Sequence, residues 1–550
     1  VMNTDWDRLL SLGNTSERSE LFIDQKISED RSLFTLRLNG FSPVLPTSFN
    51  EGIRLSNYLT LLCLASPVIS ENSFDDLFIR YRSVCTNLID GNLVVLSSGS
   101  LARAMRASSS VSFLLAPVVM DSLTLVDGGL VSNIPVNVAL DMGADYVIAV
   151  NTTSDLRNIE ELELPWNVAD QTVSIPMKRL EKAELLKANF HLQPNIDNWS
   201  STDFTNLDSL MLAGYNYTKS VLPIIQAQID SLSRAKSEVE PYWIKNIKST
   251  TNQNDFEKPY LQKYSLMDSV SSIEIFEDLS ELYTTGSFDS LFAIIEKDGD
   301  STKVSFKYTP NSIIKELELI SNGTIDSAEA DFLFRSLKDK PFYGRTIFDA
   351  VRSVIANHKK RGYVLFELNN YSFDAKSGLL SLNFNAGTIS KIDINSETSK
   401  TVINRELNIK QGSRLLYSDL EEGLMRLKAT GLFEDINLSV ENNAGGATIN
   451  LDVKEKISSL MKIGFLVNEA YNAQLAVDIR DVNLFYSGTE LGLFLFGGAS
   501  NRAYILEHIS YRILDTYLTY KLSAYYKFND IDVYTQTNSE TGNTFSSNYI

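Results

Sequence analysis

The sequence predicts a multidomain protein in three parts: an α/β domain, repeated α+β units, and a terminal run of antiparallel strands. Three patterns carry this reading. Short β-rich runs alternate with helical stretches over roughly the first 230 residues, as strands covered by helices do. Between about residues 269 and 458 a glycine-closed amphipathic helix recurs, each time followed by strand-like alternation. After Ile457 an alternation of period two takes over.

In the first part, Ser83-Val-Cys-Thr86 and Leu93-Val-Val-Leu96 read as strands, with Asp90-Gly91 turning the chain between them. Leu101–Ala107 and Val136–Met142 read as helices. Tyr146-Val-Ile-Ala-Val150 is a continuous apolar run, the pattern of a strand covered on both faces. A long amphipathic stretch, Asn206–Ser231, closes the domain. Residues 232–268 are polar with two prolines and read as a connector.

The repeat is visible as Glu281-Leu-Tyr-Thr-Thr-Gly-Ser-Phe-Asp289 against Arg426-Leu-Lys-Ala-Thr-Gly-Leu-Phe-Glu-Asp435, with His358-Lys-Lys-Arg-Gly-Tyr363 between them. Gly286, Gly362 and Gly431 lie 76 and 69 residues apart, each placed to take the left-handed cap after a helix. Two or three copies of one unit of about 70–75 residues follow, the first either whole or short of a full copy. In the last part, Leu518, Tyr520, Leu522, Ala524, Tyr526 and Phe528 fall on one face, with Thr519, Lys521, Ser523 and Lys527 on the other. Ser459–Val467, Glu490–Gly497 and Ala503–Arg512 are weaker versions. That is the length and pattern of a tilted membrane β-strand, and equally of a half-buried soluble sheet. Four to six strands fall short of the eight that close the smallest barrels.

Composition bounds the function. Of 550 residues, 43% are hydrophobic and 22% charged, enough for ordinary cores. Lys and Arg number 50 against 69 Asp and Glu, a net charge of −19, which argues against an overall basic nucleic-acid binder. Two cysteines, Cys63 and Cys85, and three histidines, His191, His358 and His508, leave no disulfide framework and no recognisable metal-ligand spacing. The longest apolar runs, Val111–Met120 and Leu59–Ile69, are too short for a membrane helix. The chain opens at Val1 without a signal pattern and reads as cut at its start or as a mature form.

The sharpest local feature is Leu123-Thr-Leu-Val-Asp-Gly-Gly-Leu-Val-Ser-Asn-Ile-Pro135. Asp127 closes a strand on a tight turn, the edge of an open α/β sheet where catalytic groups gather, and could orient or deprotonate a hydroxyl nucleophile. An aspartate there also serves simply as a turn or cap. Ser108, Ser109 and Ser110 follow a helix, where serines cap or turn. Arg103 and Arg106 could face an anionic head group or pair within the domain. Lys359-Lys-Arg361 reads as a solvated helix end, His191 as a surface or cap residue, and both cysteines as small core residues.

Ordered blocks then show a resemblance. Asp5-Trp-Asp-Arg-Leu-Leu-Ser11, Gly52-Ile-Arg-Leu55, Phe78–Gly91, Gly99–Ser110, Leu125–Val136 and Gly143–Val150 follow one another as in bacterial patatin-like phospholipases. Residues 269–458 resemble POTRA modules, the periplasmic repeats that precede outer-membrane barrels. From 459 onward the chain resembles the start of a BamA-like surface-antigen barrel, so that the whole has the layout of patatin-type autotransporter-like proteins. The implied division is a patatin-like α/β hydrolase domain over 1–235, a connector over 236–268, POTRA-like units over 269–311, 312–387 and 388–458, and barrel strands over 459–550.

What the resemblance implies is a Ser–Asp dyad with Asp127 as its aspartate, supported by Gly128 and Gly129, and neither cofactor nor metal. No glycine here begins a Gly-x-Ser-x-Gly; the family places that elbow and its oxyanion loop before Asp5, so the serine is expected outside this chain. Val111-Ser-Phe-Leu-Leu-Ala-Pro117 departs from the family's Ile-Pro-Gly after the serines and bears on acyl-chain choice. The implied substrate is a phospholipid, the implied location the bacterial outer membrane with its lipids, with periplasmic POTRA modules open to a protein client and the patatin domain periplasmic or at the surface. A second expectation is an outer-membrane assembly or secretion protein whose patatin domain is inactive or a binding module. A third is a soluble multidomain esterase.

Overall fold

The computed structural model describes residues 4–10, 34–68, 73–196, 199, 204, 206–236, 242–248, 256–321, 323–443, 446–468, 472–498, 501–529, 532–539 and 542–549. In the first domain the strands Leu93–Leu96, Ser83–Asn87, Leu123–Asp127 and Val118–Met120 form one sheet in that order, antiparallel throughout. Ser83–Asn87 is buried along its whole length, and Cys85 and Leu125 are fully enclosed. The helix Leu101–Ser108 lies on this sheet. Ser100 starts it, its side chain accepting from Arg103 N–H, and Ala102, Ala104 and Ala107 are buried, small enough to bring helix and sheet close.

Tyr146–Val150 behaves differently from the expectation. Only Ile148–Val150 is strand, paired in parallel with Phe190–Leu192 in a separate two-stranded sheet. Ala149 is buried while Ile148 and Val150 are exposed, so the run is covered on one face. The β-branched side chains set the extended backbone, but the sequence run alone did not report how many faces are covered.

Three units of like topology follow. In the last, Ile389–Asn395, the helices Lys400–Leu407 and Tyr417–Ala429, and the strands Phe433–Asn443 and Gly446–Glu455 give a three-stranded sheet. Its first and last strands are parallel neighbours and the middle strand lies on the far edge. Glu316–Ile320, Ser327–Leu337, Gly344–Lys360, Glu367–Asp374 and Leu379–Asn385 repeat it. So do Ile247–Lys248, Lys258–Ser265, Ser272–Thr284, Phe288–Asp298 and Ser301–Pro310. Residues 242–248 and 256–268 of the stretch read as a connector therefore belong to the first unit, which has the same strand and helix order as the others. Its polar sequence hides Ile244, Ile247, Leu261 and Tyr264, all in that unit's core. Gly286, Gly362 and Gly431 each follow a helix with φ of 74°, 95° and 70°, as caps of this kind require.

The terminal strands Ser459–Asn468, Asn472–Asp481, Thr489–Gly497, Asn501–Ser510 and Tyr520–Asn529 form an antiparallel sheet. Phe34–Asn39 of the first domain adds to its Ser459 edge, and Ser42–Val44 lies outside that. Asp532–Ser539 and Gly542–Tyr549 pair with each other. Register places Phe465, Leu475, Leu493, Leu506 and Leu522 on one face, all exposed. The other face carries Arg480 with Asp478, Glu490 and Glu507 at 3.3, 3.0 and 3.2 Å. Gly492 makes room for this cluster: a Cβ there would lie 2.9 Å from the Arg480 guanidinium carbon. Among the described residues no helix is long and apolar enough to cross a membrane.

Candidate functional site

Asp127 is the last residue of its strand, opposite Cys85 in register. Its N–H donates to Ser110 O at 3.0 Å, and its Oδ1 accepts from Gly129 N–H at 2.9 Å. Oδ2 has no partner among the described residues. The side chain is half-buried, and this burial raises the carboxyl pKa above the ordinary aspartate value against the lowering effect of the Gly129 N–H. A carboxylate fixed by one oxygen, with the other unengaged and made more basic, can orient a hydroxyl and take its proton.

The two glycines are dictated by space. A Cβ on Gly128 would lie 2.5 Å from Val84 O, a backbone atom of the neighbouring strand, and one on Gly129 would lie 3.0 Å from Asn133 Oδ1. Gly128→Ala should therefore displace the turn and lower stability by about 1–3 kcal/mol; thermal unfolding beside Gly143→Ala, where a Cβ meets open space but φ is +84°, separates crowding from backbone strain.

Ser109 and Ser110 bond the end of their own helix as expected, whereas Ser108 ties the helix to the neighbouring strand. Ser108 Oγ donates to Val84 O at 2.8 Å, Ser109 Oγ to Arg106 O at 3.1 Å, and Ser110 Oγ to Arg106 O at 2.8 Å. None of the three bonds Asp127 through its side chain. Arg103 departs from the expected pairing within the domain, whereas Arg106 keeps its partners inside it. Arg103 Nη2 meets Asp435 Oδ2 of the last repeat at 2.7 Å. Arg106, 2% exposed, bonds the carbonyls of Glu51 and Ala116 and the Ser110 hydroxyl. Burial pushes its pKa down to about 10, and it braces the loop that carries Ser110.

Lys359 is likewise no solvated helix end. It is 6% exposed, and its Nζ donates to Leu64 O and Val364 O at 2.8 and 2.7 Å. His191 is exposed and bonds Leu185 O. Burial raises both thiols to about 11, which leaves them unreactive at neutral pH. Sequence reasoning missed the polar support beyond the turn. Asn133 Nδ2 reaches Glu181 Oε2 at 3.5 Å, and Glu181, 3% exposed, also holds Thr153 Oγ1 and Lys178 Nζ at 2.9 and 3.1 Å. Lys178 and Glu181, one helical turn apart, were the available signal.

A strand-end carboxylate on a glycine turn, in a sheet backed by a helix, is followed by βααββ repeats and antiparallel strands. Residues 8–140 match the family model of patatin-like phospholipases, and residues 387–456 that of POTRA, the surface antigen variable number repeat. Residues 8–140 are thus similar to patatin-like phospholipases and residues 387–456 to a POTRA repeat, with antiparallel strands following. Lysophospholipase NTE1 of Scheffersomyces stipitis is 26% identical over 247 residues, 39% of this chain and 15% of that protein. Patatin-like phospholipase domain-containing protein 6 of Homo sapiens is 29% identical over 181 residues, 28% of this chain and 13% of that protein. The matched stretch is accordingly a small part of these relatives. Among solved structures, POTRA1-3 of the periplasmic domain of Omp85 from Anabaena aligns over 40% of this chain and 97% of its own, at 19% identity and a TM-score of 0.29. CdiB from Escherichia coli aligns over 52% of each chain at 12% identity and a TM-score of 0.30.

Proposed function

We infer that the protein is a lipid acyl hydrolase of phospholipase A type, held at a bacterial outer membrane by its POTRA modules and strands. The observation that carries this reading is Asp127, inside the stretch matched by the patatin model, with Oδ1 held by Gly129 N–H and Oδ2 without a partner among the described residues. In the reaction a serine hydroxyl passes its proton to Asp127 as its oxygen attacks the ester carbonyl. Backbone amides receive the oxyanion, the lysophospholipid alkoxide leaves with the proton from Asp127, and an acyl-serine remains. Water then gives its proton to Asp127 and attacks; the fatty acid leaves as the serine recovers the proton. Residues 1–550 contain no Gly-x-Ser-x-Gly turn, so the reading assigns the nucleophile to sequence outside them. No cofactor takes part.

Fluorophosphonate labelling of the protein expressed from its native gene tests this. The modified peptide should map to a serine in such a turn, with labelling blocked by phospholipid. Well-folded protein that takes no label would overturn the hydrolase reading in favour of an assembly or binding role.

The membrane half of the reading is supported by the exposed apolar face of the terminal strands, opposite the Arg480 ion cluster. That arrangement suits lipid outside and water within. Alkaline carbonate should leave the protein in the membrane pellet; its release into the supernatant would leave a soluble esterase.

A further inference from the structure

The patatin-like domain and the last POTRA module share one hydrophobic core. Ile53, Leu61 and Leu64 of the helix Ile53–Ala65 are buried in the same cluster as Leu420, Leu427 and Phe433 of that module. Polar contacts surround it. Glu51 Oε1 meets Lys456 Nζ at 2.7 Å, and Arg37 Nη1 donates to Ile457 O. Lys359 Nζ holds Leu64 O at the end of the helix, where a cation meets the negative pole of the helix dipole. Phe34–Asn39 extends the sheet of terminal strands.

One contact reaches toward the site. Arg103 Nη2 holds Asp435 Oδ2 at 2.7 Å and Val119 O at 2.8 Å. Arg103 sits on the helix Leu101–Ser108. Immediately after that helix, Ser110 O accepts the Asp127 N–H, and Ser110 Oγ bonds Arg106. Asp435, Arg103, the helix, Ser110 and Asp127 are thus physically contiguous, with few side chains between the POTRA surface and the carboxylate.

We propose that the last POTRA module is the regulatory partner of the Asp127 site in cis. Docked, it holds the Leu101–Ser108 helix and the Asp127 turn in position; undocked, it lets them relax and turnover falls. Arg103 and Asp435 are positioning residues in this scheme, and the regulation rests on the hydrolase reading given above. Coupling of this kind needs an element whose equilibrium both sites bias, and the helix pair Ile53–Ala65 and Leu101–Ser108 is that element.

The test is charge reversal in the full-length protein, read in two ways. Hydrolysis of a fluorogenic butyrate ester gives kcat and KM, and hydrogen exchange reports the amides of Ile53–Ala65. Asp435→Arg should lower kcat at least fivefold with KM unchanged and raise exchange at least tenfold. Arg103→Glu combined with Asp435→Arg should recover most of both changes, falling short of the parent by the Arg103–Val119 O bond that glutamate cannot make, a rescue that general destabilisation does not produce. Exchange that ignores the single reversal would overturn the docking and the regulation together. A rise in exchange with unchanged kcat would overturn the regulation alone. A parent protein without any turnover would sink the hydrolase reading, and this regulation with it, whatever exchange does.

Discussion

On the hydrolase reading, Asp127→Asn is expected to lower ester hydrolysis by about two to four orders of magnitude, the usual contribution of a positioned general base, while leaving the fold intact. Asparagine keeps an Oδ1 to accept the Gly129 N–H and occupies the same volume, so the turn survives; what goes is the basic oxygen. The stability change has a definite sign. Burial raises the Asp127 pKa in the folded state, so the folded protein binds the proton more tightly than the unfolded chain does. The stability this gives is fully present below the unfolded value and is lost as pH rises through the folded one. At neutral pH the carboxylate is a desolvated charge, and its replacement by a neutral amide should raise Tm slightly as activity disappears. In the parent, kcat/KM should rise with pH through that raised pKa. Initial rates on a phospholipid substrate across pH, alongside thermal unfolding of the variant, check both halves. Undiminished turnover in Asp127→Asn would reduce the residue to a turn former.

Much of this site was legible in the sequence because its constraints are local. An aspartate that ends a strand and is followed by two glycines can be read from spacing alone, and the crowding at Gly128 by Val84 O is why a side chain is excluded. The repeat was legible for the same reason: glycine caps at 286, 362 and 431 are a backbone requirement that a side chain rarely meets. The terminal strands show where local reading loses ground. Asn472–Asp481 alternates Leu475, Val477 and Ile479 with Asp478 and Arg480, yet a weak polar start hid it beside the cleaner Tyr520–Asn529. The first repeat was cut short because Ile244 and Ile247 come from two very short strands inside a polar stretch, below the length at which a period can be counted. Lys359 and Arg103 could not be placed at all. Their partners, Leu64 O and Asp435 Oδ2, lie 295 and 332 residues away, and a helix that ends in Lys-Lys-Arg looks solvated until another domain covers it.

Glu406→Ala is expected to cost about 3–5 kcal/mol at the junction of the last POTRA module with the strands, the penalty for stranding a buried charge. Glu406 is fully enclosed on the helix Lys400–Leu407. Its two oxygens receive Arg405 Nε at 2.8 Å and Arg512 Nη1 at 2.9 Å, and its carbonyl receives Arg426 Nε at 2.8 Å. Arg405 Nη1 in turn donates to Arg512 O and Leu514 O, both at 3.1 Å, in the turn after Asn501–Ser510. Alanine removes the carboxylate that, among the described residues, pairs with two guanidinium groups almost without solvent, 8% and 9% exposed, and leaves a cavity between them. Glu406→Gln keeps an acceptor and the volume but loses the charge, and should fall between parent and alanine variant. Neighbouring contacts, such as Asn483 Nδ2 on Thr398 Oγ1 at 3.1 Å, are neutral and cannot compensate. The measurement is denaturant unfolding of the full chain, followed by limited proteolysis at residues 511–518, where the alanine variant should be cut much faster. A loss below about 1 kcal/mol, the scale of an exposed pair, would mean that apolar packing such as Val402 against Gly488 holds the junction and the ion cluster is dispensable.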